Sequence, residues 1–228
     1  MTRSKPAARP DPSPAPAPAR RRIRGLDADQ RSAQRRSQLL DAATELFATQ
    51  SFSGTSIEQI CQHAFVGTKG FYDHFDSKEA CYTALLEQIT VQIQQRVAAA
   101  ADAVADRPLP ERIAAVLAEF VHAIADDPRL AKVTFGEAGG ISPAVEKQRR
   151  GNRRWAAAFL DRQWSPGTPP DRARETLALA TIGGMFELVA DWLHHHDDGD
   201  EPDEVDLLIA DLIRFVAVVA AGRTATGG

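Results

Sequence analysis

From about residue 30 onward, apolar residues recur at intervals of three and four. This is the spacing of one helical face, not the alternation of a strand. Leu39, Leu40, Ala43, Leu46 and Phe47 predict a first helix over about 30–50, broken at Ser53-Gly54. Thr55 or Ser56 caps a short second helix, with Ile57, Ile60 and Ala64 turned inward. A tight junction at Phe65-Val66-Gly67 leads to a third short helix over about 68–74. Ser77 caps a long fourth helix over about 78–105, which stops before Pro108 and Pro110. The next predicted helix, about 109–126, has Ile113, Val116, Leu117, Phe120 and Ile124 on one face. Pro128 suits the first turn of a helix over about 128–138, and Ser142-Pro143 opens another over about 142–164. Asp171 caps a helix over about 171–195, and a last one covers about 203–222. No useful strand pattern and no internal repeat appear, so the expected class is all-α.

The first 25 residues differ from this pattern. Pro6, Pro10, Pro12, Pro14, Pro16 and Pro18 forbid a continuous helix, and few apolar side chains are present to bury. The segment ends in Arg20, Arg21, Arg22 and Arg24, which reads either as a solvated leader or as a basic arm for DNA. Charge is distributed unevenly. The whole chain of 228 residues has 27 Lys+Arg, 31 Asp+Glu and a net charge of −4. Residues 1–36 hold ten basic and three acidic residues, whereas 81–228 hold 15 basic and 22 acidic ones. An excess of positive charge at one end points to an anionic partner there.

Cys61 and Cys81 lack the partners of a disulfide framework or a zinc finger and read as buried thiols of a reducing compartment. With no run of about 18 apolar residues and no signal-peptide pattern, the expectation is a cytoplasmic protein without a membrane anchor. A Gly-rich phosphate loop, a His-Glu-x-x-His helix and a nucleophile elbow are all missing, so an enzyme is not expected. No cofactor or metal is expected either. His194, His195 and His196 precede an acidic loop, but adjacent side chains rarely converge on one ion.

Residues 55–75, TSIEQICQHAFVGTKGFYDHF, hold the most informative pattern: short helix, tight turn, short helix, the layout of a helix-turn-helix. Val66, Phe71 and Phe75 fall on one side and should pack on Leu46, Phe47 and Ile60. Thr68, Lys69, Tyr72 and Asp73 fall on the other, offering a hydroxyl, an ammonium and a phenol to phosphates or base edges. Gly70 lies among them, where a bare backbone permits close approach.

This segment resembles the N-terminal DNA-binding domain of TetR-family transcriptional regulators. The resemblance rests on Ala43, Leu46, Phe47, Gly54, Thr55, Ile57, Ile60 and Val66, and above all on Phe-Tyr-Asp-His-Phe-Asp-Ser-Lys-Glu at 71–79. The close match spans about 33–88; beyond it, the chain agrees only in length and helical layout. The resemblance implies phosphate contacts at Thr55, Tyr72, His74 and Lys78, and groove-facing roles for Thr68, Lys69 and Gly70. Three residues depart from the family's pattern. Phe65 stands where a small residue is usual, and would be strained if the turn takes positive φ. Gly67 replaces a stronger Ser cap, and Asp73 brings a negative charge near DNA.

The resemblance also implies a layout. A Pro/Arg-rich tail over 1–25 precedes a three-helix DNA-binding domain over 26–77, a helical effector-binding and dimerisation domain over 78–222, and a tail over 223–228. Phe120, Phe135, Trp155, Phe159, Met185 and Phe186 would line an effector pocket, or would simply form the core. His122 is a ligand contact or, more simply, a surface histidine. The last two helices would form a homodimer, with Leu177, Ile182, Met185, Leu188, Val189 and Trp192 on one and Val205, Leu208, Ile209, Leu212, Ile213, Val216 and Val219 on the other. Such a dimer sets two recognition helices one turn of double-stranded DNA apart, on a near-palindromic operator. The expected function is a repressor released by a small effector. An activator or a ligand-independent DNA-binding protein is the alternative, and a helical enzyme a remote one.

Overall fold

The computed structural model describes residues 27–136, 141–195 and 203–225. The tail over 1–25, most of the loop after His195 and the last three residues lie outside them. The chain divides into two compact units, Met1–Gln34 and Arg35–Gly228. In the first, the described residues begin helix α1 (Ala28–Gly54). There Asp27 Oδ1 accepts from the Gln30 backbone N–H at 2.8 Å, and Gln30 Oε1 accepts from the Asp27 N–H at 3.0 Å. This reciprocal cap satisfies two donors that a helix start leaves open.

The second unit carries the rest of α1 and the helices that follow it. These are α2 (Ile57–His63), α3 (Thr68–Tyr72), α4 (Lys78–Ala103), α5 (Leu109–Ala125), α6 (Pro128–Ala131), α7 (Pro143–Trp164), α8 (Arg172–His195) and α9 (Asp203–Ala225). A wide π turn, Lys132–Gly136, continues α6. The described residues contain no strand, and the architecture is an all-α N-terminal helix-turn-helix domain joined to a C-terminal helical bundle.

Polar caps fix most helix starts. Ser56 accepts from the Gln59 N–H while the Gln59 side chain accepts from the Ser56 N–H, so Ser56, not Thr55, caps α2. Ser77, Asp127, Ser142 and Asp171 cap α4, α6, α7 and α8, each side chain accepting from a first-turn backbone N–H. The break in α1 comes earlier than Ser53-Gly54: Ser51 turns to φ 65°, which interrupts the helix there. Helix α3 is also shorter than predicted; Asp73 closes it, leaving His74 in the following turn.

Two apolar cores result. The first packs α1 to α3 with the front half of α4, and includes Leu39, Phe47, Ile60, Phe71 and Tyr82 together with Val133 and Val145. The second gathers the rear of α4 with α5, α7, α8 and α9. Helix α8 packs on α7, on α9 and on the π turn. By length and composition alone α8 would suffice to cross a membrane, and 33% of its most apolar window is buried.

The apolar stripe predicted for dimerisation points largely inward. Ile182, Met185, Val189, Leu208, Leu212 and Val216 are all buried inside this chain. Most of the remaining stripe residues, such as Leu188, Trp192, Ile209 and Ile213, are partly buried against the same core. The bundle absorbs the stripe because α9 fills the space beside α5 as well as α8. The large apolar side chains left exposed on these two helices are Leu177, Leu179, Leu207 and Val218.

Candidate nucleic-acid interface and effector cavity

The helix-turn-helix is built from its buried side outward. Phe71 is fully buried, Phe75 and Val66 nearly so, and Phe71 and Phe75 lie 5.5 Å apart between ring centroids. Burying one such aromatic side chain stabilises by roughly 1.5–3 kcal/mol. That anchor fixes α3 even though it is only five residues long. Its outer face then presents Thr68, Lys69, Tyr72 and Asp73, all exposed. Tyr72 is 53% exposed and braced edge-on by Phe71 at 5.6 Å, so its hydroxyl stands clear of the protein. His74 is half-buried beside Phe75. A neighbour missed in the sequence is Arg36, whose guanidinium lies over the Phe75 ring at 5.4 Å. Its place in the run Arg35-Arg36 gave no sign of that stacking.

Gly70 has a packing reason to be glycine. A Cβ there would meet Val66 Cγ1 at 2.7 Å, closer than real contacts allow. Phe65 sits at φ 53° in the turn with its side chain 96% exposed, so the strain anticipated for a bulky residue at this turn is present.

Two residues expected to contact phosphate, Thr55 and Lys78, are engaged within the protein. The Thr55 side chain is only 2% exposed, and its hydroxyl donates to Ser51 O at 2.8 Å, with Leu46 O at 3.2 Å. Lys78 Nζ donates to Phe52 O at 2.7 Å and to Thr55 O at 2.6 Å, and lies 4.3 Å from the Phe52 ring centroid. The cause is the break at Ser51. Leaving the helix frees carbonyl groups that need donors, and Thr55 and Lys78 supply them. Both residues hold the α1–α2 junction together.

Burial pushes the Cys81 thiol up to about 12. Burial also raises Cys61, while the Thr68 hydroxyl pulls it the other way. Both sulfurs are free and buried.

The six aromatic and Met residues picked from the C-terminal sequence all line one cavity of about 380 Å³. Its walls come from α4, α5, the π turn, α7 and α8. Phe120 stacks on Phe186 at 6.2 Å, with Phe135 edge-on to Phe186 at 5.0 Å; across α7, Trp155 stacks on Phe159 at 5.3 Å. Small residues in α8 serve two purposes. Gly183 lines the cavity, whereas at Gly184 a Cβ would meet the Phe215 ring at 2.8 Å. His122 is a surface residue, 46% exposed near Asp126, and is not part of the lining.

The polar lining was not foreseen. Thr90, Gln94, Thr134, Arg149, Asn152, Arg153 and, from α8, Glu187 join the wall. Asn152 donates to Thr90 Oγ1 at 2.8 Å. Arg149, 8% exposed, donates from Nη2 to Tyr82 Oη at 3.2 Å, and Tyr82 in turn donates to Val133 O at 2.8 Å. Tyr82 packs edge-on against Phe47 and Phe52, so its ring belongs to the N-terminal core. In sequence, Arg149 hides within Arg149-Arg150 and Arg153-Arg154, which resemble a solvated charged face. Its register with Val145, Ala156 and Leu160 on α7 was the available clue.

Residues 39–85 match the family model described as "Bacterial regulatory proteins, tetR family". Among solved structures, the fold is similar to the transcriptional regulator FadR from Bacillus subtilis, described in complex with stearoyl-CoA. That match has 20% identity and a TM-score of 0.64, covering 82% of this chain and 98% of that one. It is similar also to the fatty acid degradation regulator FadR from Bacillus halodurans, at 17% identity and TM-score 0.66, covering 80% and 94%. A TetR-like transcriptional regulator from Rhodococcus sp. RHA1 matches at 22% identity and TM-score 0.58, covering 80% and 96%. Residues 39–85 thus carry the helix-turn-helix segment of the tetR family of bacterial regulatory proteins, and the chain as a whole is similar in fold to solved transcriptional regulators.

Proposed function

We propose that this protein is a dimeric, ligand-responsive repressor that binds a near-palindromic operator and leaves it when a small apolar effector enters the bundle. The observation that supports this reading best is one chain holding both an exposed recognition face and a cavity of about 380 Å³ lined with aromatic rings. That volume lies in the usual range for small-molecule sites. Thr68, Lys69, Gly70, Tyr72 and His74 are the residues that meet DNA in this proposal, with Lys69 and Tyr72 both exposed. Phe120, Phe135, Trp155, Phe159, Met185 and Phe186 grip the effector. Similarity to a FadR described with stearoyl-CoA favours an effector with a long apolar part. Homodimerisation uses α8 and α9, whose exposed Leu177, Leu179, Leu207 and Val218 would be covered by a second copy. The basic tail over 1–25 adds attraction to phosphates in this scheme.

The effector acts by preferring the state in which the two recognition helices are wrongly spaced for the operator. Moving occupancy from nearly full to nearly empty requires a preference of about 5.5 kcal/mol between the two states. The test is a gel shift on the DNA upstream of the protein's own gene, at several salt concentrations. A retarded band at low salt, abolished by Lys69→Ala with Tyr72→Phe, supports the reading. A folded dimer that retards no fragment at low salt refutes it.

A further inference from the structure

The cavity wall contains a charge without a counter-charge. Arg149 is 8% exposed, yet among the described residues no carboxylate pairs with it. Among the described residues its hydrogen bond goes to the neutral Tyr82 hydroxyl, at 3.2 Å, and its Nε is buried without a partner there. The Thr134 hydroxyl, also on the cavity wall, is likewise buried and unpartnered. Other buried charge in this bundle is handled differently. Asp161, 5% exposed, meets Arg174 at 2.7 Å and 3.0 Å through two parallel hydrogen bonds. An isolated guanidinium in an apolar interior is costly, and buried charges are as a rule paired. A residue kept at such a cost beside an open cavity is best explained by an anion that arrives from outside.

We infer that the effector is an apolar molecule ending in a compact anion, with the anion held by Arg149 and the apolar body between Phe186 and Trp155. This rests on the proposal that the cavity binds the effector, and names its chemical class. The planar guanidinium accommodates a carboxylate through two hydrogen bonds. Asn152 lies one turn further along α7 and Thr90 on α4, both on the same wall. Arg153 adds a second cation to the wall, which outweighs the single carboxylate of Glu187. The apolar body finds the stacked Phe120–Phe186 and Trp155–Phe159 pairs, both on the cavity wall.

The experiment uses the full-length protein and a neutral fluorescent probe, N-phenyl-1-naphthylamine, displaced by decanoate, decanol or decanoyl-CoA. Binding of the probe reports on the cavity independently of charge. Absence of probe binding, and of any displacement, would refute the cavity as the effector site and this inference with it. Given probe binding, decanoate should displace it far better than decanol. Arg149→Met should weaken decanoate by about thirty-fold or more, the usual consequence of removing one partner of a buried ion pair, while leaving decanol unchanged. Equal displacement by decanoate and decanol would overturn the inference but leave the cavity reading intact. Tight decanoyl-CoA binding unaffected by Arg149→Met, with weak decanoate binding, would also overturn it, because the anion would then lie outside. Should Arg149→Met fail to fold, the decanoate-to-decanol ratio in the wild type decides alone.

Discussion

Lys78 is the residue for which family resemblance and structure point to different roles. Resemblance makes it a phosphate contact; the structure uses its ammonium to satisfy Phe52 O and Thr55 O, over the Phe52 ring. The informative substitution is Lys78→Met, which keeps an apolar stem against Phe52 and removes the donors. Hydrogen bonds from a charged donor contribute about 1.5–3 kcal/mol each, and the ring contact about 0.5–1 kcal/mol. The site is half-buried and water can reach part of it, so the low end applies and partial rehydration subtracts further. The expected destabilisation is about 2–3 kcal/mol, a sizeable share of the roughly 5–15 kcal/mol that holds a typical protein folded. For a chain of this length it lowers Tm by roughly 5–10 °C. Two measurements separate the roles: thermal unfolding without DNA, and the slope of log Kd against log salt with DNA. If Lys78 neutralised a phosphate, its removal would shrink the slope by about 0.9. Unchanged unfolding combined with a reduced slope would refute the junction role.

Phe65→Gly should stabilise the protein by up to about 1 kcal/mol, since it relieves the left-handed turn and removes a ring that buries nothing; Phe65→Ala, which keeps the Cβ, should bring no such gain in urea unfolding. Gly70→Ala should destabilise by roughly 1–3 kcal/mol through the clash with Val66, and Val66→Ala in the same chain should restore much of it. Loss of DNA binding in Gly70→Ala alone would then report the folding of α3, not the role of Gly70 in the groove. The Cys81 thiol, raised to about 12, should resist alkylation in the native protein at pH 8 and react only on unfolding. Because its folded-state value lies above the ordinary 9.0, its contribution to stability is complete below pH 9 and is lost as pH climbs toward 12. Removing residues 1–25 should weaken DNA binding and flatten its salt dependence while leaving operator preference intact.

Much of the helical layout was legible because its punctuation is local. Ser56, Ser77, Ser142 and Asp171 act through their own side chains on the next few N–H groups, so a sequence reader sees the whole cause. Ser51 gave no such signal, since serine is an unusual choice for positive φ. The directions of Thr55 and Lys78 were equally hidden. Each could face solvent on its own helix, and only the meeting of α1, α2 and α4 offers the carbonyls that draw them in. The large aromatic residues collect around one cavity because size alone brings them to the centre of a bundle. The polar members of that wall, above all Arg149, lay concealed in an arginine-rich helix whose other members are more exposed. On α8 and α9, a wide apolar stripe suggested a partner chain, but three-dimensional packing hides most of it within the monomer.

Tyr82 gives the two ends of the molecule a shared term in the free energy. Its ring is fixed by Phe47 and Phe52 beneath the recognition domain, and its hydroxyl joins Val133 of the cavity's π turn to Arg149. If an anion draws Arg149 away from that hydroxyl, the cost falls on the same contacts that seat the DNA-reading helices. Equilibrium coupling of this kind is reciprocal: whatever factor the effector takes from operator affinity, the operator must take from effector affinity. In the proposed repressor, effector affinity measured on free protein would therefore overstate the affinity met by protein already seated on its operator, and Tyr82→Phe should bring the two values closer together.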